Sequence, residues 1–528
     1  MSIRQFKDTI MNTTTLINLF HSRGVLRTPT AYTLVSLRKH GYTVTGVLER
    51  AAHDHPDRLA VVDDEGPITY EELNQRAREC ASWLLAKGIG CGDGVGILMR
   101  NSRHVIEVLA ATGHIGARPV IINPMSGPQQ VAGIAGEYGL RILIHDDEFN
   151  DDTMSLTTSV GKVLSATSGV WYDYPGRSYL THYGSRATPQ PTVIMSSGSR
   201  GVPKGIVMPV NKAEGAAASL DKVPWREGLI IGLHASMFHA WGWSGMVFSL
   251  ATASTIITHR HFSAEESARD VSFYPITALF SSGVFLRELA GRLGGTHVRG
   301  RVEFILTAGN AMPESLTRKL IDMFGPVVYN TYGSTENATI TVATGKETAQ
   351  YPTTVGRAPY GVEMKVIRGD GSRCYPGEVG RIVSSQAMTM VRALDDADDT
   401  DRVDGLLPSG DVGYVNEEGL LFITGRDDDM VIRGGENIHP ASIANVVANM
   451  PGVKDAYVMA KSIGLDALIT AYVVPSSLEV DGDADAVRKY VEFSLSSSHV
   501  PDVIVWRDDL PYNAGGKVDE KALLADEA

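Results

Sequence analysis

Apolar and polar positions follow two different periods along the chain, and together they predict an α/β protein. Short apolar runs at Gly94–Met99, Arg118–Asn123 and Arg141–His145 indicate buried strands. Between such runs lie amphipathic helical segments. Thr69–Leu73 begins one of them, because a threonine is followed by acidic residues in the first helical turn. Strands that alternate with helices in this way predict parallel sheets covered by helices.

The pattern changes towards both ends of the chain. A second alternating set runs from Gly228 to Val328, and the acidic stretch Asp395–Asp401 predicts a solvated loop. From Asp427 onward, strands and helices form a segment of about 100 residues, the size of a small domain. The first 44 residues are predicted to be a lead-in that is partly helical at Leu16–Arg23 and Tyr32–Lys39.

The length of 528 residues is too great for one hydrophobic core, so at least two domains are expected. We predict a large N-terminal domain at residues 1–425, built of several subdomains with parallel sheets covered by helices. A small α+β C-terminal domain is predicted at residues 426–528. Hydrophobic residues make up 43% and charged residues 21%, which is ordinary for a globular protein in water.

Charge and cysteine content exclude several classes of function. The net charge of −13, from 61 acidic and 48 basic residues, argues against a nucleic-acid-binding surface. Cys80, Cys91 and Cys374 form no CxxC pair, so neither a disulfide framework nor a zinc site is indicated. The sequence has no apolar run of the roughly 18 residues that a membrane span needs, and Met1–Gly24 lacks the apolar core of a signal peptide. These features predict a cytoplasmic enzyme acting on small molecules, with neither a nucleic-acid partner nor a membrane span.

A loop rich in serine and glycine, Ser196–Gly205, carries the first candidate chemistry. It follows the predicted strand Pro191–Met195, and a turn of this composition exposes backbone N–H groups that can hold a phosphate, with Lys204 adding a positive charge. The loop is not a Walker A motif, because Pro203 replaces the required glycine and Lys204 is followed by glycine rather than serine or threonine. By itself, such a segment is also compatible with an ordinary polar turn.

Six further motifs follow this loop in a fixed order. They are Leu306–Ser315, Tyr329–Asn337, Ser409–Asp411, Thr424–Asp429, Arg433–Pro440 and Asn513–Val518. Together they resemble the motif series of the adenylate-forming (AMP-binding) superfamily of acyl-CoA synthetases, peptide-synthetase adenylation domains and luciferases. The resemblance extends from roughly Gly46 to Leu523. It implies an enzyme that uses Mg-ATP, forms an acyl adenylate and releases AMP and pyrophosphate.

The resemblance assigns residues to the polyphosphate and its metal ion. Thr335 and Glu336 match the positions for the α-phosphate contact and for Mg²⁺, and the ion accounts for a carboxylate beside a polyphosphate. Arg200 replaces a usual threonine, and whether it faces the phosphates or the solvent stays open. The residues expected around the β- and γ-phosphates are Ser196, Ser197, Gly198, Ser199, Gly201 and Lys204.

The resemblance also assigns the adenosine contacts. Tyr332 is expected to stack on adenine, with the backbone of residues 309–311 on the other face and Asn330 at the exocyclic amine. Asp411 is expected to accept both ribose hydroxyls, and Arg426 to donate to them. The complete expected set is Gly309, Asn310, Ala311, Asn330, Tyr332, Gly333, Asp411 and Arg426.

Catalysis and motion are assigned to the C-terminal domain. Lys517 matches the lysine that bridges the substrate oxygen and the α-phosphate as charge develops. Asp428 corresponds to the hinge about which the small, mobile domain turns between the two half-reactions.

The acid-binding pocket is expected to be polar. His239 occupies the position where relatives gate or line the pocket, and His234, five residues earlier, lies off a common helical face, which argues against a metal pair. Ser281, Ser282 and Asn310 would be unfavourable against a buried alkyl tail, so a small or polar substrate is favoured. The full substrate set is His239, Trp241, Ser282, Gly333 and Ser334.

The segments that bind CoA in relatives are altered here. Ala460–Asp466 lacks a Pro-Asp pair, and Ser498–Asp502 has no cation and carries an acid where a base is expected. Asp502 should weaken the binding of the CoA phosphates. The Gly434–Gly435 hairpin, which lets the pantetheine thiol reach the adenylate, is intact, so the use of CoA stays open.

Three functions therefore compete for the second half-reaction. The first prediction is transfer to a small nucleophile other than CoA, in particular by an ATP-dependent diazotase that joins nitrite to an aryl amine in secondary metabolism. The alternatives are an acyl-CoA ligase acting on a carboxylic or fatty acid, and a carrier-protein-loading or non-catalytic member. Whether the protein forms a homodimer also stays open.

Overall fold

A computed structural model describes most of the chain. The described residues are 40–41, 43–150, 163–174, 188–195, 205–208, 221–294, 301–309, 312–334, 337–385, 391–392, 402–427, 429, 431–433, 436–463, 466–476, 482–513 and 517–525. The predicted lead-in helices and the acidic stretch 395–401 lie outside these residues.

The chain divides into two compact units. The first comprises Met1–Gly294, Gly300–Leu306 and Ala387–Asp398, and the second comprises Gly295–Arg299, Thr307–Gln386 and Asp399–Ala528. The boundary predicted at 425/426 falls inside the second unit and stays a prediction.

The helices of the described residues are short to medium in length. In chain order they are α1 Val44–Asp54, α2 Tyr70–Ala86, α3 Arg103–Ile115, α4 Pro128–Glu137, α5 Ala240–Ala251, α6 Ala264–Phe273, α7 Gly283–Leu293, α8 Glu314–Phe324, α9 Gly345–Gln350, α10 Pro440–Ala448, α11 Ala484–Ser494 and α12 Glu520–Ala525. Among the described residues, no helix has the length and apolar character that crossing a bilayer requires.

The strands are numbered in the same way. They are β1 Leu59–Asp63, β2 Gly66–Thr69, β3 Gly94–Leu98, β4 Arg118–Ile121, β5 Leu140–His145, β6 Leu164–Thr167, β7 Thr192–Met195, β8 Gly205–Met208, β9 Ile230–Leu233, β10 Thr255–Ile257, β11 Ala278–Ser281, β12 Phe304–Ala308, β13 Val328–Ser334, β14 Ala338–Ala343, β15 Met364–Ile367, β16 Gly380–Ser384, β17 Val391–Arg392, β18 Leu407–Val415, β19 Leu421–Arg426, β20 Val431–Arg433, β21 Glu436–Ile438, β22 Val453–Ile463, β23 Asp466–Pro475 and β24 Val503–Trp506.

Two local predictions for the first unit, the helix that begins at Thr69 and the three apolar strands, are confirmed. Thr69 caps α2 with a full capping box, since its hydroxyl accepts from the Glu72 N–H while the Glu72 carboxylate accepts from the Thr69 N–H. The three predicted strands are β3, β4 and β5, and they lie side by side in parallel. They belong to a seven-stranded sheet of order β17-β8-β7-β4-β3-β5-β6, in which only the β8 pairings are antiparallel.

A second sheet of the first unit positions several of the residues that are predicted to line the substrate pocket. Its strands β11, β9, β10 and β1 are parallel neighbours in this order. Trp225 is fully buried beneath this sheet, with its ring centroid 5.1 Å from that of Phe304 and 5.5 Å from that of Phe248. Because β9 and β11 are parallel, their carboxyl ends meet at one edge. The segments that follow them, from His234 and from Ser282, therefore begin side by side.

Most strand pairs of the second unit are antiparallel. β13 and β14 form an antiparallel pair, and β15, β16, β18 and β19 form an antiparallel sheet in this order. Val355, Val366, Ile382 and Leu421 form the buried core beside that sheet. β22, β23 and β24 form a further sheet covered by α10 and α11, whose shared core includes Ile443, Ile469 and Val487.

Candidate functional site

The segment between β9 and α5 in the first unit is held by a residue that the sequence analysis missed. Asn101 is buried, and its side-chain nitrogen donates to the Ala235 carbonyl (3.0 Å) and to the Thr258 hydroxyl (3.1 Å). Its side-chain oxygen accepts from the Met237 N–H (2.7 Å). Asn101 thereby fixes the backbone that leads to His239. The sequence feature that could have indicated this role is an amide side chain just after the carboxyl end of β3.

Trp241 is anchored at the end of β11. Its indole N–H donates to the Ser281 carbonyl (3.0 Å), and its ring stacks on Phe280 with a centroid separation of 4.1 Å. His239 lies two residues earlier, at the N-terminal cap position of α5, with its ring 4.7 Å from that of Phe238. The structure thus places His239 and Trp241 on one helical turn beside the end of β11.

Two adjacent serines at this end of β11 have different surroundings. The Ser281 hydroxyl lies 3.2 Å from Nδ1 of His234. Burial lowers the pKa of His234 to about 4, so the imidazole is neutral near pH 7 and suits a neutral hydrogen bond. The Ser282 hydroxyl is also buried, but it has no hydrogen-bond partner among the described residues. A buried polar group without a partner typically costs about 1–3 kcal/mol.

The predicted ribose-binding residues come together in the second unit. Asp411 and Arg426 are direct neighbours across the β18–β19 pairing, with Asp411 Oδ1 4.0 Å from Arg426 Nη1. The Tyr332 hydroxyl donates to Asp411 Oδ2 (2.5 Å). Burial, and then the negative charge of Asp411, raise the pKa of Tyr332 well above its usual value, so the phenol stays protonated and donates. Tyr332, Asp411 and Arg426 therefore form one hydrogen-bonded and ionic group.

A glycine makes this group possible. Gly410 has a φ of +81°, and a Cβ at that position would lie 3.3 Å from Arg426 Nη2. A side chain there would strain the backbone and crowd the guanidinium. The glycine thus lets Arg426 lie along the backbone next to Asp411.

Asn330 is buried on the same strand as Tyr332. Its amide nitrogen donates to the Thr354 carbonyl (3.2 Å), so that donor is committed within the protein. The side-chain oxygen is the atom that would accept from the adenine amine. Gly309, which follows β12, is exposed with a φ of +93°, a backbone conformation that favours glycine.

Gly333 is required by the packing of its own strand pair. A Cβ at Gly333 would lie 1.8 Å from the Ala338 carbonyl oxygen, at a bulge in the β13–β14 pairing. We expect Gly333→Ala to force these strands apart, to cost about 2–3 kcal/mol of unfolding free energy and to impair adenylation. Urea unfolding and an adenylation assay measure both effects.

The matched control is Gly136→Ala, which lies in α4 with nothing within 4 Å of the added methyl group. This control should be as stable as the parent protein or more stable by up to about 1 kcal/mol, because alanine favours a helix more than glycine does. Equal stability of the Gly333 and Gly136 variants would contradict the packing argument.

Lys517 lies in a closed turn near the end of the chain. The Lys517 N–H donates to the Asn513 side-chain oxygen (3.1 Å), the Asn513 N–H donates to the Lys517 carbonyl (2.8 Å), and Tyr512 bridges to Val518. The Lys517 side chain is exposed. No contact joins it to Tyr332, Asp411 or Arg426 among the described residues, and its catalytic role stays a prediction.

The remaining predicted residues lie outside the described part of the chain. The two strands that flank the predicted phosphate-binding loop are described, however. Met195 and Gly205 pair directly across β7 and β8, and the Gly205 N–H donates to the Tyr138 hydroxyl (2.8 Å). The predicted phosphate-binding loop therefore begins and ends at paired strand positions. The residues whose roles stay predictions are Ser196, Ser197, Gly198, Ser199, Arg200, Gly201, Lys204, Asn310, Ala311, Thr335, Glu336 and Asp428, and Ser334 is described only in its backbone.

Comparison with known proteins gives a consistent result. A model of the family described as "AMP-binding enzyme" matches residues 48–392. The fatty acid–[acyl-carrier-protein] ligase ScoC of Streptomyces coeruleorubidus is 27% identical over 486 residues, which cover 88% of this chain and 93% of that protein.

Two solved structures share the fold over nearly their whole length. The amide bond synthetase McbA of Marinactinospora thermotolerans has a TM-score of 0.78 and 23% identity, covering 92% of this chain and 99% of that chain. O-succinylbenzoate coenzyme A synthetase of Bacillus subtilis, in complex with ATP and magnesium, has a TM-score of 0.74 and 22% identity, covering 89% and 98%. The predicted fold class, a large α/β N-terminal region with a small α+β C-terminal region, is confirmed.

Proposed function

We propose, from the premise that this chain belongs to the AMP-binding enzyme family and is an ATP-dependent, adenylate-forming ligase, that its adenylate is passed to a small amine rather than to CoA. Mg-ATP is the cosubstrate, and AMP and pyrophosphate are the products. The proposal of an amine acceptor rests on the salt bridge between Arg433 and Asp502.

The group around Asp411 supports the first half-reaction. Asp411 offers carboxylate oxygens to the ribose hydroxyls, and Arg426 adds donors beside it. The bond from Tyr332 to Asp411 holds the aromatic ring in place beside them. Mg²⁺, with Glu336 as its expected ligand, would neutralise phosphate charge, while Lys517 is expected to stabilise the charge that develops on the transferred group.

Asp502 is not the isolated acid that the sequence suggested. Its Oδ1 accepts from Arg433 Nη2 (2.6 Å), and its Oδ2 accepts from the Ile469 N–H (2.8 Å). Arg433 also donates through Nη1 to the Val500 carbonyl (2.8 Å). The carboxylate is therefore neutralised by Arg433, the first residue of the motif Arg433–Pro440.

A second arginine also reaches this segment. Arg488 donates from Nε to the Pro501 carbonyl (3.2 Å) and from Nη2 to the Asp502 carbonyl (3.1 Å). Its Nη1 donates to Asp485 (3.3 Å). Both arginines beside Pro501 are thus engaged within the protein.

These contacts support an acceptor without phosphates. To bind a CoA phosphate, Arg433 would have to exchange a charge-assisted hydrogen bond to Asp502 for one to the ligand, and Asp502 would remain beside the phosphate. A small amine carries no phosphate, so its binding would leave the hydrogen bond between Arg433 and Asp502 intact. The name of the amide bond synthetase relative indicates that this fold accommodates acceptors other than CoA.

The specific version that we favour is a diazotase. Nitrite oxygen would attack the α-phosphate and release pyrophosphate, and the nitrogen of an aryl amine would then attack the nitrite nitrogen and release AMP. Protonation and loss of water from the resulting N-nitroso amine give the diazonium product. The alternative is an acyl-CoA ligase, which the likeness to o-succinylbenzoate coenzyme A synthetase favours.

One assay separates these functions. AMP release from Mg-ATP is measured with a panel of carboxylic acids and with nitrite, each with CoA, with aryl amines or with neither. We expect an amine to raise turnover about tenfold or more, because it completes the reaction, and CoA to raise it less than about twofold. Saturable thioester formation at low CoA concentration would instead establish an acyl-CoA ligase.

The Arg433–Asp502 pair gives a further expected result. Asp502→Ala should release Arg433 and remove the acid, so any residual thioester formation should rise about tenfold, the effect of one recovered charge-assisted contact. Thioester yield is measured with a fixed CoA concentration. Asp485→Ala, which removes the partner of Arg488 instead, is the control and should leave the yield unchanged. A lower yield in Asp502→Ala would show that the carboxylate is needed for CoA rather than opposed to it.

A further inference from the structure

The Ser282 hydroxyl is the starting point. Ser282 is 7% exposed, and its hydroxyl has no hydrogen-bond partner among the described residues. Buried polar side chains in folded proteins are nearly always hydrogen-bonded, so this hydroxyl is available to a further partner such as a bound ligand.

The hydroxyl lies at the start of an 11-residue helix. Ser282 is the N-terminal cap residue of α7, yet its side chain makes no capping hydrogen bond. The first N–H groups of a helix have no partners within it, and together with the helix dipole they attract oxygen acceptors and anions. Ser282 and the first turn of α7 thus offer several donors at one place.

Neighbouring polar groups are already engaged. Ser281 uses its hydroxyl towards His234 and its carbonyl for the Trp241 indole N–H. Trp241 also stacks on Phe280, which fixes its ring. The polar groups of Ser281 and Trp241 are therefore engaged with each other and with His234, whereas the Ser282 hydroxyl has no partner among the described residues.

We infer that Ser282 and the N-terminus of α7 bind an oxygen acceptor, a hydroxyl or carboxylate, on the organic substrate away from its reacting group. The inference rests on the proposed function and on the prediction from the sequence that Ser282 belongs to the substrate pocket. The inference thus specifies one feature of the substrate, a second oxygen function, and leaves its carbon skeleton open.

Two stability measurements test the hydroxyl without any substrate. Ser282→Ala removes a hydroxyl with no partner among the described residues, so the melting temperature should stay within about 1 °C of the parent or rise. Ser281→Ala is the matched control, because this adjacent buried serine loses its bond to His234 and should melt at a lower temperature. An equal loss in both variants would show that Ser282 has a partner in the free protein and would overturn the inference.

Pairs of ligands that differ only in a second oxygen group test whether Ser282 binds that group. Adenylates are trapped with hydroxylamine, using benzoate against 3-hydroxybenzoate and isophthalate; with nitrite, the AMP-release assay compares aniline with 3-aminophenol and 3-aminobenzoate. The parent enzyme should prefer the oxygen-bearing members by about tenfold or more, and Ser282→Ala should lose that preference. A preference that survives in Ser282→Ala would overturn the inference. Inactivity towards every acid and towards nitrite would instead contradict the proposed function. The melting temperatures of Ser282→Ala and Ser281→Ala would still show whether the Ser282 hydroxyl has a partner in the free protein.

Discussion

Replacing Lys517 by alanine is expected to slow adenylate formation by about 10²–10³-fold, because a group that stabilises charge developing in the transition state is lost. The exposed side chain makes this variant well suited to the test. The turn that carries it is held by backbone and Asn513 contacts, which alanine preserves. Hydroxylamine trapping of the adenylate measures the first half-reaction directly.

Lys521 supplies the matched control. It is exposed in α12, four residues further along, and its backbone N–H bonds to Asp519. Lys521→Ala removes the same charge from the same region and should retain full activity. Near-normal adenylation by Lys517→Ala, with an accepted acid or with nitrite, would show that the lysine has been assigned wrongly.

The second large effect is expected at Asp411. Asp411→Ala should lower kcat/KM for ATP by about 10²-fold, since the expected ribose acceptor, the partner of the Tyr332 hydroxyl and the counter-charge of Arg426 are lost together. Steady-state kinetics with varied ATP measure the change. A comparison of ATP with 2′-deoxy-ATP tests the contact to the ribose hydroxyl directly. Only the parent enzyme should discriminate strongly between the two nucleotides.

Two variants control for indirect effects. Glu417→Ala changes an exposed carboxylate in the turn of the same β18–β19 hairpin and should leave ATP kinetics unchanged. Tyr332→Phe keeps the ring and removes the hydroxyl with its bond to Asp411, so a loss of only a few-fold is expected. If Asp411→Ala discriminated against 2′-deoxy-ATP as strongly as the parent, Asp411 would not contact that hydroxyl.

Many local elements and the reaction class could be predicted from the sequence. Period and capping chemistry act over a few residues, which is why the start of α2 at Thr69 and the strands β3, β4 and β5 follow from the pattern alone. The ordered motifs placed the chain among adenylate-forming enzymes. They also selected Tyr332, Asp411 and Arg426, which the structure brings together.

The hydrogen-bond and ion-pair partners of individual side chains could be read only from the tertiary structure. Asp502 carries a formal negative charge in any sequence-based argument, but Arg433, 69 residues away, neutralises it. Asn101 fixes the backbone 134 residues further along, and nothing nearby in the sequence reveals its partner. Ser281 and Ser282 are identical and adjacent, yet only Ser281 meets a histidine. Hydrogen-bond partners depend on which distant segments the fold brings within about 3 Å, and that distance is not encoded in local periodicity.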